Sequence, residues 1–107
     1  MPMRQNIPFL KDRKLTEKEI TAEIRSWLNF RGIYHWKVWQ GPMSQNGVSD
    51  ILGILPKGRM LAIEVKTLKG KLSPKQQSFI DSINLRGGLA FVARSVEKVR
   101  QEVDHGI

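Results

Sequence analysis

The chain has 107 residues, 40% of them hydrophobic and 26% charged, which suits a single soluble globular domain with one modest core. Eighteen Lys and Arg against ten Asp and Glu give a formal net charge of +8; this favours a polyanionic partner, nucleic acid before an anionic membrane surface, with an unpartnered basic surface as the plain alternative. The lack of cysteine excludes a disulfide framework, a thiolate metal site and a thiol nucleophile, and no apolar run approaches the roughly 18 residues of a membrane span.

Residues 1–15 carry Arg4, Lys11, Arg13 and Lys14 with two prolines and little periodicity. They read as a basic arm suited to a phosphate backbone or a second subunit. The N-terminus lacks the apolar core of a signal peptide, so a cytoplasmic location is expected. A helix follows from Thr16. Thr16 can cap it, and Glu17 and Glu19 suit the positive end of its dipole. Ile20, Ile24, Trp27, Leu28 and Arg31 recur at helical spacing until Gly32.

Ile33 to Gln40 is rich in β-branched and aromatic residues and reads as a strand. Gly41 to Gly47 is a loop by composition. Ile51 to Leu55 and Met60 to Lys66 are apolar runs joined by Pro56-Lys57-Gly58-Arg59, a predicted β-hairpin. Both runs are apolar on both faces apart from the charged end, as in a central sheet covered on two sides. Lys69-Gly70-Lys71 makes a basic loop. Ser73 caps a second helix, with Pro74 at its first position and Phe79, Ile80, Ile83 and Leu85 as its stripe. After Gly87-Gly88, Leu89 to Ala93 is a short strand. Ser95 caps a last helix carrying Val96, Val99 and Val103. The order α-β-β-β-α-β-α fits one α/β domain spanning residues 1–107, with a mixed central sheet flanked by helices.

The chemistry concentrates at the open end of the hairpin. With its turn centred on Lys57, Asp50 lies opposite Glu64, and directly opposed residues share a face of the sheet. Lys66 shares that face, and Val65 points to the other. Opposed carboxylates repel, and a hard cation between them removes the penalty; Mg²⁺ is typically held by one or two carboxylates with several waters. A plain ion pair of Lys66 with either acid fits the same spacing. His35 reads as structural, and His105 has no evident partner. Trp27 falls on the apolar helix stripe. Trp36 and Trp39 are open between packing and stacking on exposed bases.

Several short segments occur together. Gly47-Val48-Ser49-Asp50, Ile63-Glu64-Val65-Lys66 and Leu72-Ser73-Pro74-Lys75-Gln76, with Gly87-Gly88 before an apolar strand, resemble the PD-(D/E)XK nuclease superfamily and, within it, the small stand-alone VRR-NUC domains. The resemblance runs from about Thr16 to Val99. It implies a restriction-endonuclease-like core and a metal-dependent endonuclease acting on branched DNA, a Holliday-junction resolvase working as a homodimer in a bacterial or phage-infected cell. It implies Asp50 and Glu64 as ligands of Mg²⁺ or Mn²⁺, completed by the main-chain carbonyl of Val65, with Lys66 as the catalytic lysine and Gln76 reaching the site. Lys69, Lys71 and Lys75 follow the catalytic strand and are the expected DNA contacts. Flap, nicked or duplex DNA as substrate, and a non-catalytic basic DNA-binding module, are the alternatives. Two positions depart from the family pattern. Ser49 stands where a proline precedes the aspartate. Thr21 stands where the first helix usually offers a glutamate; Glu17, one turn earlier on the same flank, or Glu23, on the other flank, would substitute, the plain alternative being that both are ordinary solvated helix carboxylates.

Overall fold

The computed structural model describes residues 14–107, so all of the predicted basic arm except Lys14 and Leu15 lies outside the described residues. Lys14 is exposed, and Leu15 already packs against the main core. Helix α1 (Glu17–Phe30) opens with a reciprocal capping box: the Thr16 hydroxyl accepts from the Glu19 amide, and the Glu19 carboxylate accepts from the Thr16 amide. Strand β1 (Tyr34–Lys37), strand β2 (Ile51–Leu55) and strand β3 (Arg59–Val65) form an antiparallel meander. Helix α2 (Pro74–Leu85) crosses to strand β4 (Leu89–Ala93), which runs parallel to β3, and helix α3 (Val96–Gly106) follows. The sheet is mixed, in the order β1-β2-β3-β4.

The sheet has two unequal faces. Ile51 and Leu55 of β2, Leu61, Ile63 and Val65 of β3, and Phe91 and Ala93 of β4 point to one of them. There they meet Ile20, Ile24 and Leu28 of α1 and Val99 and Val103 of α3 in the main core. The stripes at helical spacing bury as the sequence implies. The opposite face is smaller: Ala62 and Ala90 lie under Ile80, with Leu52, Leu72, Phe79, Ile83 and Val92 around them.

Three sequence expectations are corrected. The first strand is half as long as Ile33 to Gln40. After Lys37 the Val38 amide bonds onward to the Asp50 carbonyl at 2.8 Å, and the Gln40 side chain to the Val48 carbonyl at 3.3 Å. The chain then turns at Gly41, whose carbonyl accepts from the Ser44 amide and hydroxyl. Leu85 is 83% exposed and does not belong to the α2 stripe. It follows Ile83 by two residues, about 200° around the helix, while Phe79, Ile80 and Ile83 share one side. The sheet is not covered on both sides throughout, because Ile54 on the smaller face of β2 is 44% exposed. Among the described residues no helix is long and apolar enough to cross a membrane.

Candidate active site

Register brings the acids together. Ile51 pairs with Ile63, so one step further along the hairpin Asp50 faces Glu64. Both lie beside the N-terminus of α2, on the smaller face, while Val65 turns its buried side chain into the main core. The Val65 amide donates to Asp50 Oδ2 at 2.7 Å, which fixes one carboxylate oxygen at the mouth of the hairpin.

Glu64 is only 2% exposed. Its Oε2 accepts from Gln76 Nε2 at 3.2 Å and lies 3.8 Å from Lys66 Nζ. Its Oε1 is buried with no hydrogen-bond partner among the described residues. Burial above all, then a hydrogen bond to Asp50 and the Asp50 charge, push the Glu64 carboxyl up to about 8; Lys66 acts in the opposite direction, and Glu17 adds a smaller upward push. The charge of Glu17, on the first helix, thus reaches the site.

The position of Gln76 follows from its role as a cap. Ser73 caps α2, with its hydroxyl accepting from the Gln76 amide at 3.1 Å, and Gln76 Oε1 accepts in return from the Ser73 amide at 2.9 Å. With the carbonyl end of the side chain so engaged, the amino end is turned to Glu64. The Leu-Ser-Pro-Lys-Gln segment therefore starts a helix and delivers a donor to the acid pair at once. The loop before Asp50 is held against the same turn. Gly47 has φ +88°, and a Cβ there would lie 2.8 Å from the Lys75 carbonyl.

Among the described residues no cluster of three or more His, Cys, Asp and Glu forms. The donors are two opposed carboxylates and neighbouring main-chain oxygens, a hard oxygen set suited to Mg²⁺ or Mn²⁺ with water completing the shell. The unpartnered Oε1 of Glu64 beside a second carboxylate fits such a cation. Lys75 lines an open groove with Gln40, Asn46, Gly47 and Gln76, and Lys69 and Lys71 are exposed on the loop after β3.

The family model for the VRR-NUC domain matches residues 10–97. The chain belongs to the VRR-NUC family. A solved structure described as a VRR_NUC domain superposes with a TM-score of 0.69 at 26% identity, covering 83% of this chain and 95% of that one. A second, described as a VRR_NUC domain protein, has a TM-score of 0.68 at 21% identity, covering 86% and 88%, and shares the fold. No curated protein matches the chain. Family membership implies a nuclease of the PD-(D/E)XK type with DNA as its substrate.

One organiser of this VRR-NUC site had no sequence signal. Arg94, just past β4, donates to the carbonyls of Thr67, Leu68 and Gly70 and so ties down the loop that carries Lys69 and Lys71. An arginine that binds only main-chain oxygens leaves no pattern in its partners' side chains. His35 is structural, as expected. Its Nδ1 donates to the Ile33 carbonyl at 2.9 Å, and its Nε2 accepts from Arg25 at 3.4 Å. Trp27 packs against the main core, with the Arg31 guanidinium 5.1 Å above its ring.

Proposed function

We propose that this protein is a divalent-metal-dependent, structure-selective endodeoxyribonuclease that cuts branched DNA, with the four-way Holliday junction as its preferred substrate. The observation that carries this reading is the buried, unpartnered Oε1 of Glu64, an acid that lies against Asp50. A closed protein core has no use for two opposed acids, one of them protonated into the neutral range. A cation site has.

Asp50, Glu64 and the main-chain carbonyl of Val65 would hold Mg²⁺ or Mn²⁺. Bound there, the ion would polarise a phosphoryl oxygen and lower the pKa of a water. Lys66, with its side chain 14% exposed and its amine 3.8 Å from Glu64, is placed to orient or deprotonate the attacking water or to stabilise charge on the phosphate oxygens. Gln76 holds Glu64 from the helix side and fixes which of its oxygens remains available. Lys69, Lys71 and Lys75 grip the backbone, and among the described residues no helix carries an array for reading bases in a groove. Recognition is therefore of shape. A homodimer would suit the junction reading, since a two-fold axis relates two sites as it relates two exchanging strands.

Incubation with a labelled four-way junction and Mg²⁺ or Mn²⁺ tests this. Cleavage by the wild type, abolished by chelation and by Asp50→Ala or Lys66→Ala, is expected. A panel of flap, nicked and plain duplex DNA ranks the substrates. Binding that depends on salt but not on metal, with no cleavage, would leave a basic DNA-binding module instead.

A further inference from the structure

Among the described residues the part of the sheet nearest β1 is left uncovered on the face that bears the acid pair. Helix α2 packs on β3 and β4. Tyr34, Trp36 and Ile54 are left 69%, 39% and 44% exposed. Alternation fixes which way the β1 side chains point. His35 meets Arg25 of α1 on the main-core side, so Tyr34 and Trp36 face the opposite way, with Asp50 and Glu64. Their rings touch, with centroids 5.7 Å apart and planes inclined at 55°. Trp36 pairs with Leu52, two residues beyond Asp50, which makes it a diagonal neighbour of Asp50. Such neighbours are about 7–8 Å apart. The acid pair thus lies between unlike walls: Gln76 and Lys75 at the start of α2, and an aromatic pair on β1.

We propose that Trp36 and Tyr34 form a stacking subsite for an unpaired nucleobase of the strand whose phosphate lies at the acid pair. The inference rests on the nuclease reading and narrows its substrate class to branched DNA that can splay a nucleotide beside the cleaved bond, as the crossover of a four-way junction can. Two properties select this occupant. Exposed aromatic faces ask for a flat apolar partner, and the exposed Lys75, Lys69 and Lys71 around the same mouth, on a chain of net charge +8, ask for an anion. A nucleotide is both. A base inside a duplex already spends its faces on its neighbours, so only a splayed base has one to offer. Stacking reads the face of a base rather than its edge, so the subsite tolerates any sequence. A second copy of the chain is the competing occupant, but it would bring the same positive rim against this one.

The test is equilibrium binding in EDTA, where nothing is cut. The probes are a single-stranded thymidine oligonucleotide, the same strand with abasic sugars, and a four-way junction. The wild type should bind the base-bearing strand about 5- to 100-fold more tightly than the abasic one, with quenching of its tryptophan emission. Trp36→Ala should bind both strands alike, and Trp36→Phe should regain most of the preference. If Trp36→Ala does not fold, Tyr34→Ala, which alters the more exposed ring, serves in the same comparison. Equal wild-type affinity for the two strands, or an alanine variant that keeps the preference, overturns the subsite. So does an alanine variant whose sedimentation falls from dimer to monomer with the preference intact, which assigns the face to a second copy. Wild type that binds the junction without base preference removes only the subsite. Wild type that binds none of the three in EDTA overturns the subsite, and only if it also leaves the junction uncut in Mg²⁺ and Mn²⁺ does the nuclease reading beneath it fall.

Discussion

At Glu64 the proton is held up to about pH 8, against an ordinary 4.5, because the carboxyl is buried and shares its hydrogen bond and its field with Asp50. The folded chain therefore binds more proton than the unfolded chain between those values. The stability this contributes to the metal-free protein is complete below pH 4.5 and is lost as pH rises through 8. A divalent ion bound between the acids would compete for the same place, so its affinity should climb over that window. Melting curves across pH in EDTA and in Mn²⁺ check both points; a Tm profile that is identical with and without the ion at pH 8 contradicts them. Ser49 provides a second test. It is fully buried, and its hydroxyl has no hydrogen-bond partner among the described residues. Ser49→Ala should raise stability by about 1 kcal/mol in urea unfolding, since it removes an unsatisfied polar group from the core. The facing of Asp50 and Glu64 was legible in the chain, because a turn centred on Lys57 makes register a matter of counting. The lone Oε1 was not, since it depends on which oxygen Gln76 takes, and that depends on side-chain geometry at the end of a strand.

Helix α2 shows how an element can serve two ends. Gln76 closes the capping box and restrains Glu64 with one amide group. Gln76→Ala should lower stability by about 0.5–1.5 kcal/mol per lost bond and also impair cleavage. Gln76→Glu keeps the acceptor for the Ser73 amide but sets a third carboxylate beside Glu64. Its stability should stay close to wild type when metal is present, while its cleavage and metal preference change; urea titration and cleavage assays on both variants separate the two roles. The hairpin turn carries a local cost, because Lys57 sits at φ 68°, a conformation that L-residues other than Asn, Asp and His rarely adopt. Lys57→Asn should raise Tm, by up to about 1 kcal/mol of stability. Element identity was readable from caps and apolar spacing: Thr16, Ser73 and Ser95 each begin the helix expected of them. Element length was read less well. Nothing in the composition of Val38 to Gln40 says that the chain must leave the sheet there to bring Gly47 against Lys75. That demand comes from the packing of a distant helix.

For the molecule as a whole, charge and architecture divide the work of binding. With a net charge of +8, affinity for DNA should fall steeply with salt. Replacing Lys69, Lys71 or Lys75 singly by alanine should flatten the slope of log affinity against log salt by about one per lysine that meets a phosphate. The loss should be alike for all sequences; a lysine variant that changes sequence preference instead would argue against backbone recognition. The arginines divide differently. Arg59 donates to the carbonyls of Gly87, Gly88 and Gly106, joining the start of β3 to the ends of α2 and α3 on the side away from the acids. Arg94 secures its loop in the same manner. Both arginines ignore the side chains of the residues they fasten. For the segment between β3 and α2 this amounts to a socket with interchangeable fittings. Apart from Gly70, where a Cβ would crowd Lys66 at 3.3 Å, positions 67–69 can be rewritten without loosening their mooring. The reach and polarity of that lip could thus be exchanged between relatives, or by design, while its fastening to Arg94 stays as it is.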